Sequence, residues 1–303
     1  MRARKVLATL LAGALLTGGT ACTSPDTSRI VVTTNILGDV VTEIVGDQAE
    51  VSVLMKPDAD PHSFAVSARE AHTMQTADLL VYNGLGLEEG VLRHVEAAEA
   101  EGVPTVEVGA RIDAMEYQDG DAAGLPDPHF WTDPARVATA VRLLTDEIVE
   151  HVDGVDARAV RERADAYGGK VGELDADLAR RFAAIAPQRR VLVTNHHVFG
   201  YLADRYDFTV VGAIIPSGTT LASPSSSDLA SLVAAIRTHR VPAIFVDTSQ
   251  PAKLAEVLAS EAGISVRVSA LYSESLSDTD GEAPSYLKMM RFNAEAIIGG
   301  LST

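Results

Sequence analysis

Two short segments share one small pattern: "DADPHSF" at 58–64 and "LPDPHFWTDP" at 125–134. Each sets a histidine directly after a proline, and the second stands beside the chain's only tryptophan, Trp131. A third segment, "TNHHVFGY" at 194–201, carries His196 and His197, and a fourth, "LYSESLSDTDG" at 271–281, carries acids. Neutral imidazole suits zinc, and it also suits copper, iron and nickel. Three imidazoles and one carboxylate, at about 2.0–2.2 Å, complete a tetrahedral site. Prolines beside His62 and His129 stiffen their loops and reduce the ordering cost of binding. A single histidine in a Pro-rich loop is ordinarily a surface residue, but two Asp-Pro-His segments in one chain weaken that explanation. In the third segment either histidine could instead cap the helix that follows, and His196 is the better candidate ligand. His72, His94, His151 and His239 fall in or at the ends of helical stretches and are read as solvated. Trp131 is read as packing beneath His129, where its apolar face lowers the local dielectric.

These segments need elements that bring them together. The chain alternates β-branched runs with amphipathic stretches, which implies parallel sheets covered by helices on both faces. Strands are expected at 29–37, 49–55, 78–84 and 103–109, with helices between them. The stretch 113–128 is acidic and rich in Gly and Pro, so it reads as a surface loop. A helix follows at 133–152, with Asp133 as N-cap and Pro134 at its first position. From Asp156 to Ala186 the pattern is one long charged helix, weakest at Gly168–Gly169, with Pro187 as its stop. Alternation then restarts, with strands at 189–195, 208–215, 243–248 and 264–271, a helix at 197–206 and a closing helix at 283–301. His62, His129, His196 and the acid of 271–281 all follow strand ends, the edge at which open α/β sheets bind ligands.

The chain has 303 residues and a formal net charge of −17, with 47% hydrophobic and 22% charged residues. That length favours two domains with real cores. The acidity excludes the basic footprint of a nucleic-acid binder. "MRARK" followed by "VLATLLAGALLTGG" is a basic stretch and a short apolar stretch, ending at Cys22, the only cysteine. The apolar run is too short for a membrane span and reads as a leader, 1–21. It resembles a bacterial lipoprotein signal, with cleavage before Cys22 and a lipid on its sulfur, although Gly19 stands where Leu is commonest. The expected location is then the cell envelope, outside the cytoplasm. Residues 22–28 read as a tether, 29–155 as a first lobe, 156–187 as a linker helix and 188–303 as a second lobe. With no other thiol, any metal site must use His and carboxylates.

Taken together, "DADPHSF", "ADLLVYNGLGLE", "DPHFWTDP", "ADAYGGKVGELDADL", "NHHVFGYLADRY", "PSSSDLASL" and "GEAPSYLKMMRFN" resemble the cluster A-I substrate-binding lipoproteins of bacterial zinc and manganese ABC importers. The resemblance runs from about Arg29 to the C-terminus. It implies two (β/α)4-like lobes joined by one long helix, with metal in the cleft, in a monomer without enzymatic activity. It also implies a partner, a membrane permease driven by an ATPase. The family's first three ligands fall on His62, His129 and His196. The fourth, usually Asp, falls on Glu274, with Asp278 and Asp280 as alternative acids. A third histidine resembles the zinc members, so Zn2+ is the expected cargo and Mn2+ the alternative. The loop 113–128 lacks the histidines many zinc members carry, although Asp113, Glu116, Asp119 and Asp121 could attract cations weakly. Two other readings remain on sequence grounds. A zinc hydrolase would need an open fourth position, and the chain has no HExxH. A surface adhesin or storage protein could share the same site. Because ligand imidazoles must be neutral, affinity is expected to fall below about pH 6.5.

Overall fold

The computed structural model describes residues 28–118, 120 and 122–302. The expected leader, Cys22 and the tether up to residue 27, with Asp119 and Asp121, lie outside the described residues. The first half contains β1 (Arg29–Val32), α1 (Asn35–Val45), β2 (Glu50–Val53), α2 (Ala68–Gln75), β3 (Leu79–Tyr82), α3 (Leu92–Ala100) and β4 (Thr105–Glu107). Helices α4 (Pro134–His151) and α5 (Ala157–Ala183) follow. The second half contains β5 (Val191–Thr194), α6 (Gly200–Tyr206), β6 (Thr209–Ala213), α7 (Ser226–His239), β7 (Ala243–Asp247), α8 (Lys253–Glu261), β8 (Arg267–Leu271) and α9 (Tyr286–Leu301).

Each half builds a four-stranded sheet, in the orders β2-β1-β3-β4 and β6-β5-β7-β8, and every pair is parallel. Strand alternation sorts side chains between two faces. Ile30, Val32, Leu79 and Val81 join one large core, while Val31 and Leu80 join a smaller one under α2 and α3. In the second half Leu192, Ala243 and Phe245 join the same large core. Val193, Ile244 and Val246 face the opposite way, towards α7 and α8. The inner faces of both sheets therefore share one apolar interior, with the expected two-sheet α/β architecture around it.

Helix α5 is the spine of that interior. Val160, Ala164, Tyr167, Val171, Leu174, Leu178 and Phe182 are buried at spacings of three and four, which puts them on one face. It packs against α1 and α4 of the first half and α6 and α9 of the second. The Gly168–Gly169 pair does not interrupt it: the helix runs unbroken for 27 residues, about 40 Å. A Cβ on either glycine would meet nothing within 4 Å, so the pair sits in open space.

Two expected boundaries shift for local reasons. The first strand stops at Val32 because Thr34 caps α1, accepting from Leu37 N, so the helix begins at Asn35 rather than 38. The helix expected over 197–206 begins only at Gly200, because Asn195–Phe199 form the irregular turn that carries His196. Asp133 and Pro134 start α4 as expected. Among the described residues, no helix is long and apolar enough to cross a membrane.

Candidate metal centre

Each turn that leaves the carboxyl end of β2, β5 or β8 delivers one side chain to a common point: His62, His196 and Glu274. The loop after β4 delivers His129. Their ligand atoms all lie within 4.8 Å of one another. His62 is 2% exposed, Glu274 1%, and His129 and His196 0%. The His62 and His129 Nε2 atoms are 3.4 Å apart. Glu274 Oε1 lies 3.0 Å from His196 Nε2 and 3.5 Å from His129 Nε2, and Oε2 lies 3.9 Å from His62 Nε2. Bonds of about 2.0–2.1 Å in a tetrahedron put ligands about 3.3–3.4 Å apart. The observed spacing spans that edge length.

Polar atoms at this point lack protein partners. Glu274 Oε1 and Oε2 and His196 Nε2 are buried without a hydrogen bond. Such groups cost roughly 1–3 kcal/mol each when left unpaired, and a divalent ion would satisfy them together. Burial pushes the His62 imidazole down to about 2, aided by His129 and His196 beside it. It pushes His196 down to about 4 and His129 well below its usual value. Burial also raises the Glu274 carboxyl well above its usual range, and Asp247, Asp60 and Asp127 add to this. Without a cation the centre therefore favours neutral imidazoles and a protonated carboxyl. A proton on any of these groups competes with a cation, so affinity is expected to fall with acidity.

Supporting contacts fix three of the four groups. Asp127 Oδ1 accepts from His129 N at 2.9 Å and lies 2.7 Å from His129 Nδ1. With Nδ1 protonated, the Nε2 lone pair faces the centre. Trp131 packs on His129 with ring centroids 5.3 Å apart, as the sequence led us to expect. Its indole N–H donates to Ser273 O at 2.8 Å, which ties the His129 segment to the Glu274 turn. Asp247 Oδ2 accepts from Ser273 N, Ser273 Oγ and Glu274 N at 2.8, 2.7 and 3.0 Å. Asn35 clamps the same turn from the first half, accepting from Leu276 N at 3.0 Å and donating to Ser275 Oγ at 2.7 Å. The Asn195 amide lies 3.1 Å from His196 Nδ1. It is the amide nitrogen that faces the ring, while Asn195 Oδ1 accepts from Asp247 N at 3.3 Å, which ties His196 to the end of β7.

The other sequence candidates lie elsewhere. Asp278 and Asp280 are exposed. His197 is outside the convergent group, and its backbone N–H donates to Ser217 O at 3.0 Å. His72 and His239 are exposed, as expected, but His94 and His151 are half-buried, with His151 Nε2 3.4 Å from Glu147. Asp113 and Glu116 are exposed, and Asp113 pairs with Arg136 at 3.4 Å. Asp60, Asp127, Asp247, Asn35 and Asn195 were missed. For Asp60 and Asp127 a signal existed, since an Asp two residues before a residue commonly accepts its backbone N–H.

Comparison with known proteins defines the class: this is a cluster A-I ABC substrate-binding protein. The family described as "Zinc-uptake complex component A periplasmic", ZnuA, matches residues 30–300, and the chain belongs to it. The chain is 29% identical to the iron-binding protein YfeA of Yersinia pestis, over 90% of this chain and 86% of that protein. It is 28% identical to the manganese-binding lipoprotein MntA of Halalkalibacterium halodurans, over 90% and 88%. It is 29% identical to the zinc-binding protein TroA of Treponema pallidum, over 98% of each. The solved structure of TroA superposes with a TM-score of 0.83 at 28% identity, covering 91% of this chain and 99% of that one. Homologues thus carry the names of three metals at nearly one level of identity, so overall likeness does not select among them.

Proposed function

We propose that this protein captures one Zn2+ ion between His62, His129, His196 and Glu274 and delivers it to the membrane permease of an ATP-driven importer. The observation that carries this reading is the donor set itself: three imidazole nitrogens and one carboxylate, buried and convergent, with orphaned lone pairs. Imidazole-rich sets favour zinc, whereas manganese favours more oxygen ligands. Residues 29–155 and 188–303 act as the two lobes around the ion, with 156–187 between them. A lipid on Cys22 holds the monomer at the outer side of the membrane, near its permease.

A hydrolase reading has less support. Glu274 occupies the fourth position that a zinc-bound water would need. The family is made of solute-binding proteins.

The test is competition on the soluble chain beginning at Thr23. Metal-free protein is titrated with zinc against manganese while Trp131 fluorescence is followed. One-to-one zinc binding that excess manganese cannot displace is expected. Preference for manganese would overturn the metal, and binding of neither would overturn the site.

A further inference from the structure

One side of the centre is closed by Pro216–Thr220, the segment of the second half that follows β6. Tyr117, from the first half, donates its hydroxyl to Gly218 O at 3.2 Å and stands 3.2 Å from His129 Nδ1. A Cβ on Gly218 would lie 2.4 Å from the Tyr117 ring, so this approach requires glycine. Next to it, Thr220 Oγ1 donates to Asp60 Oδ2 at 2.6 Å. Gln250 Nε2, from the turn after β7, donates to the same oxygen at 3.1 Å. Ser63 Oγ approaches it at 3.3 Å. The other oxygen, Asp60 Oδ1, accepts from His62 N at 2.9 Å.

A single carboxylate thus holds the backbone of His62 through one oxygen and two side chains of the opposite half through the other. Gln250 in turn belongs to the turn organised by Asp247, whose carboxylate also holds Glu274 N. The His62 ring has no anchor of its own, because Nδ1 is buried without a hydrogen-bond partner. Its position is therefore set through its backbone, and its backbone through Asp60.

We propose that Asp60 is a positioning residue that latches the His62 loop across the cleft, so that the metal leaves only when Thr220 and Gln250 let go. This rests on the reading of His62 as a metal ligand. His62 cannot swing outward on its loop while Asp60 Oδ2 is held from the other side. The latch adds no ligand, so it acts on the rate of exchange more than on the equilibrium. Hydrogen bonds to a carboxylate are stronger than neutral ones, yet these two lie at the half-buried rim, where Thr220 and Gln250 can exchange them for water.

The test uses the zinc-loaded full soluble chain and an excess of chelator, with release followed in a stopped-flow instrument. The variant Thr220→Val with Gln250→Leu removes both donors and leaves Asp60, His62 and every proposed ligand intact. Release is expected to accelerate about tenfold, the effect of losing two modest hydrogen bonds. Association should accelerate too, so affinity falls less than the release rate rises. Thr220→Val alone should act in the same direction at smaller size. Thr238→Val, which removes a hydrogen bond of α7 to Ala234 O, should leave release unchanged. If the double variant releases zinc at the wild-type rate, or no faster than Thr238→Val, the latch is wrong and the metal site stands. If the wild type binds no zinc, the reading of the site falls first, and the latch with it.

Discussion

Asp60-Pro61-His62 and Asp127-Pro128-His129 begin as the same local structure and end as different ones. In both, the Asp carboxylate accepts the backbone N–H of the histidine at 2.9 Å. Asp127 then turns inward: the same Oδ1 meets His129 Nδ1 at 2.7 Å, and Asp127 O accepts from Tyr201 Oη at 2.6 Å. Asn83 Nδ2 secures Pro128 O at 3.1 Å. Asp60 instead turns outward, to Thr220 and Gln250 of the other half. His129 is thus fixed by a buried scaffold, with its tautomer chosen in advance. His62 is fixed by a clasp at the rim. On the proposed reading, one tripeptide serves two purposes, a preorganised ligand and a releasable one.

The largest effect should come from the ligands themselves. His129→Ala and His62→Ala are each expected to weaken zinc binding by more than the roughly 10–100-fold typical of supporting residues. Isothermal titration measures this. Glu274→Ala is expected to cost less, and an equal loss from all three variants would show that the carboxylate is undervalued.

Next in size is Asp127→Asn, expected to weaken zinc about 10–100-fold. The amide oxygen of asparagine can still accept from His129 N and Nδ1, but it lacks the charge that strengthens the Nδ1 bond and makes Nε2 a better donor to the ion. Because His62 Nδ1 has no such partner, no equivalent substitution exists for it. If Asp127→Asn binds zinc like the wild type, the contrast between the two histidines is lost.

Protonation gives a smaller effect. Glu274 has a raised folded value, so its site favours the protonated form. Its ionisation costs the metal-free protein stability as pH rises above the ordinary 4.5. The imidazoles have lowered folded values, so their neutral burial costs stability as pH falls below the ordinary 6.5. Between those values both costs act and the three imidazoles outweigh the one carboxylate, so the metal-free site is least costly near the ordinary imidazole value of 6.5. Zinc should raise the melting temperature more at pH 8 than at pH 5.5, and its binding at pH 7 should release protons. Thermal shift assays and calorimetry in buffers of different ionisation heat read both. An equal zinc shift at the two pH values would contradict a buried carboxylate at the centre.

The smallest effect concerns the spine between the halves. Gly168→Ala with Gly169→Ala should stabilise α5 by about 1–2 kcal/mol in chemical denaturation, since both positions are open. Zinc release should not change, because release is local to the His62 loop. A slower release would mean that bending of α5, and not the clasp, lets the metal out.

Much of this was legible in the sequence. Alternation of β-branched runs with helical stretches marks both sheets, and the apolar stripe of α5 marks the spine. His62, His129 and His196 were readable from the repeated Asp-Pro-His pattern and from loops that follow strands, whereas Glu274 was singled out among the acids of 271–281 only by the family resemblance. The boundaries at Thr34 and Gly200 were less legible, since caps and turns prevail over propensity there. The supporting residues were hidden for a different reason. Asn35 and Ser275 are 240 positions apart, and Trp131 and Ser273 are 142 apart. Such pairings depend on how the halves pack and leave no local pattern. The loop 113–128 shows the same limit: it reads as surface, yet Tyr117 is buried against His129.

X-ray absorption at the zinc edge, on the one-to-one complex of the wild-type chain, tests the central claim most directly. Three imidazole nitrogens and one carboxylate oxygen near 2.0–2.1 Å are expected, with one imidazole lost in His62→Ala. A first shell dominated by oxygen, or a spectrum unchanged by His62→Ala, would contradict the site.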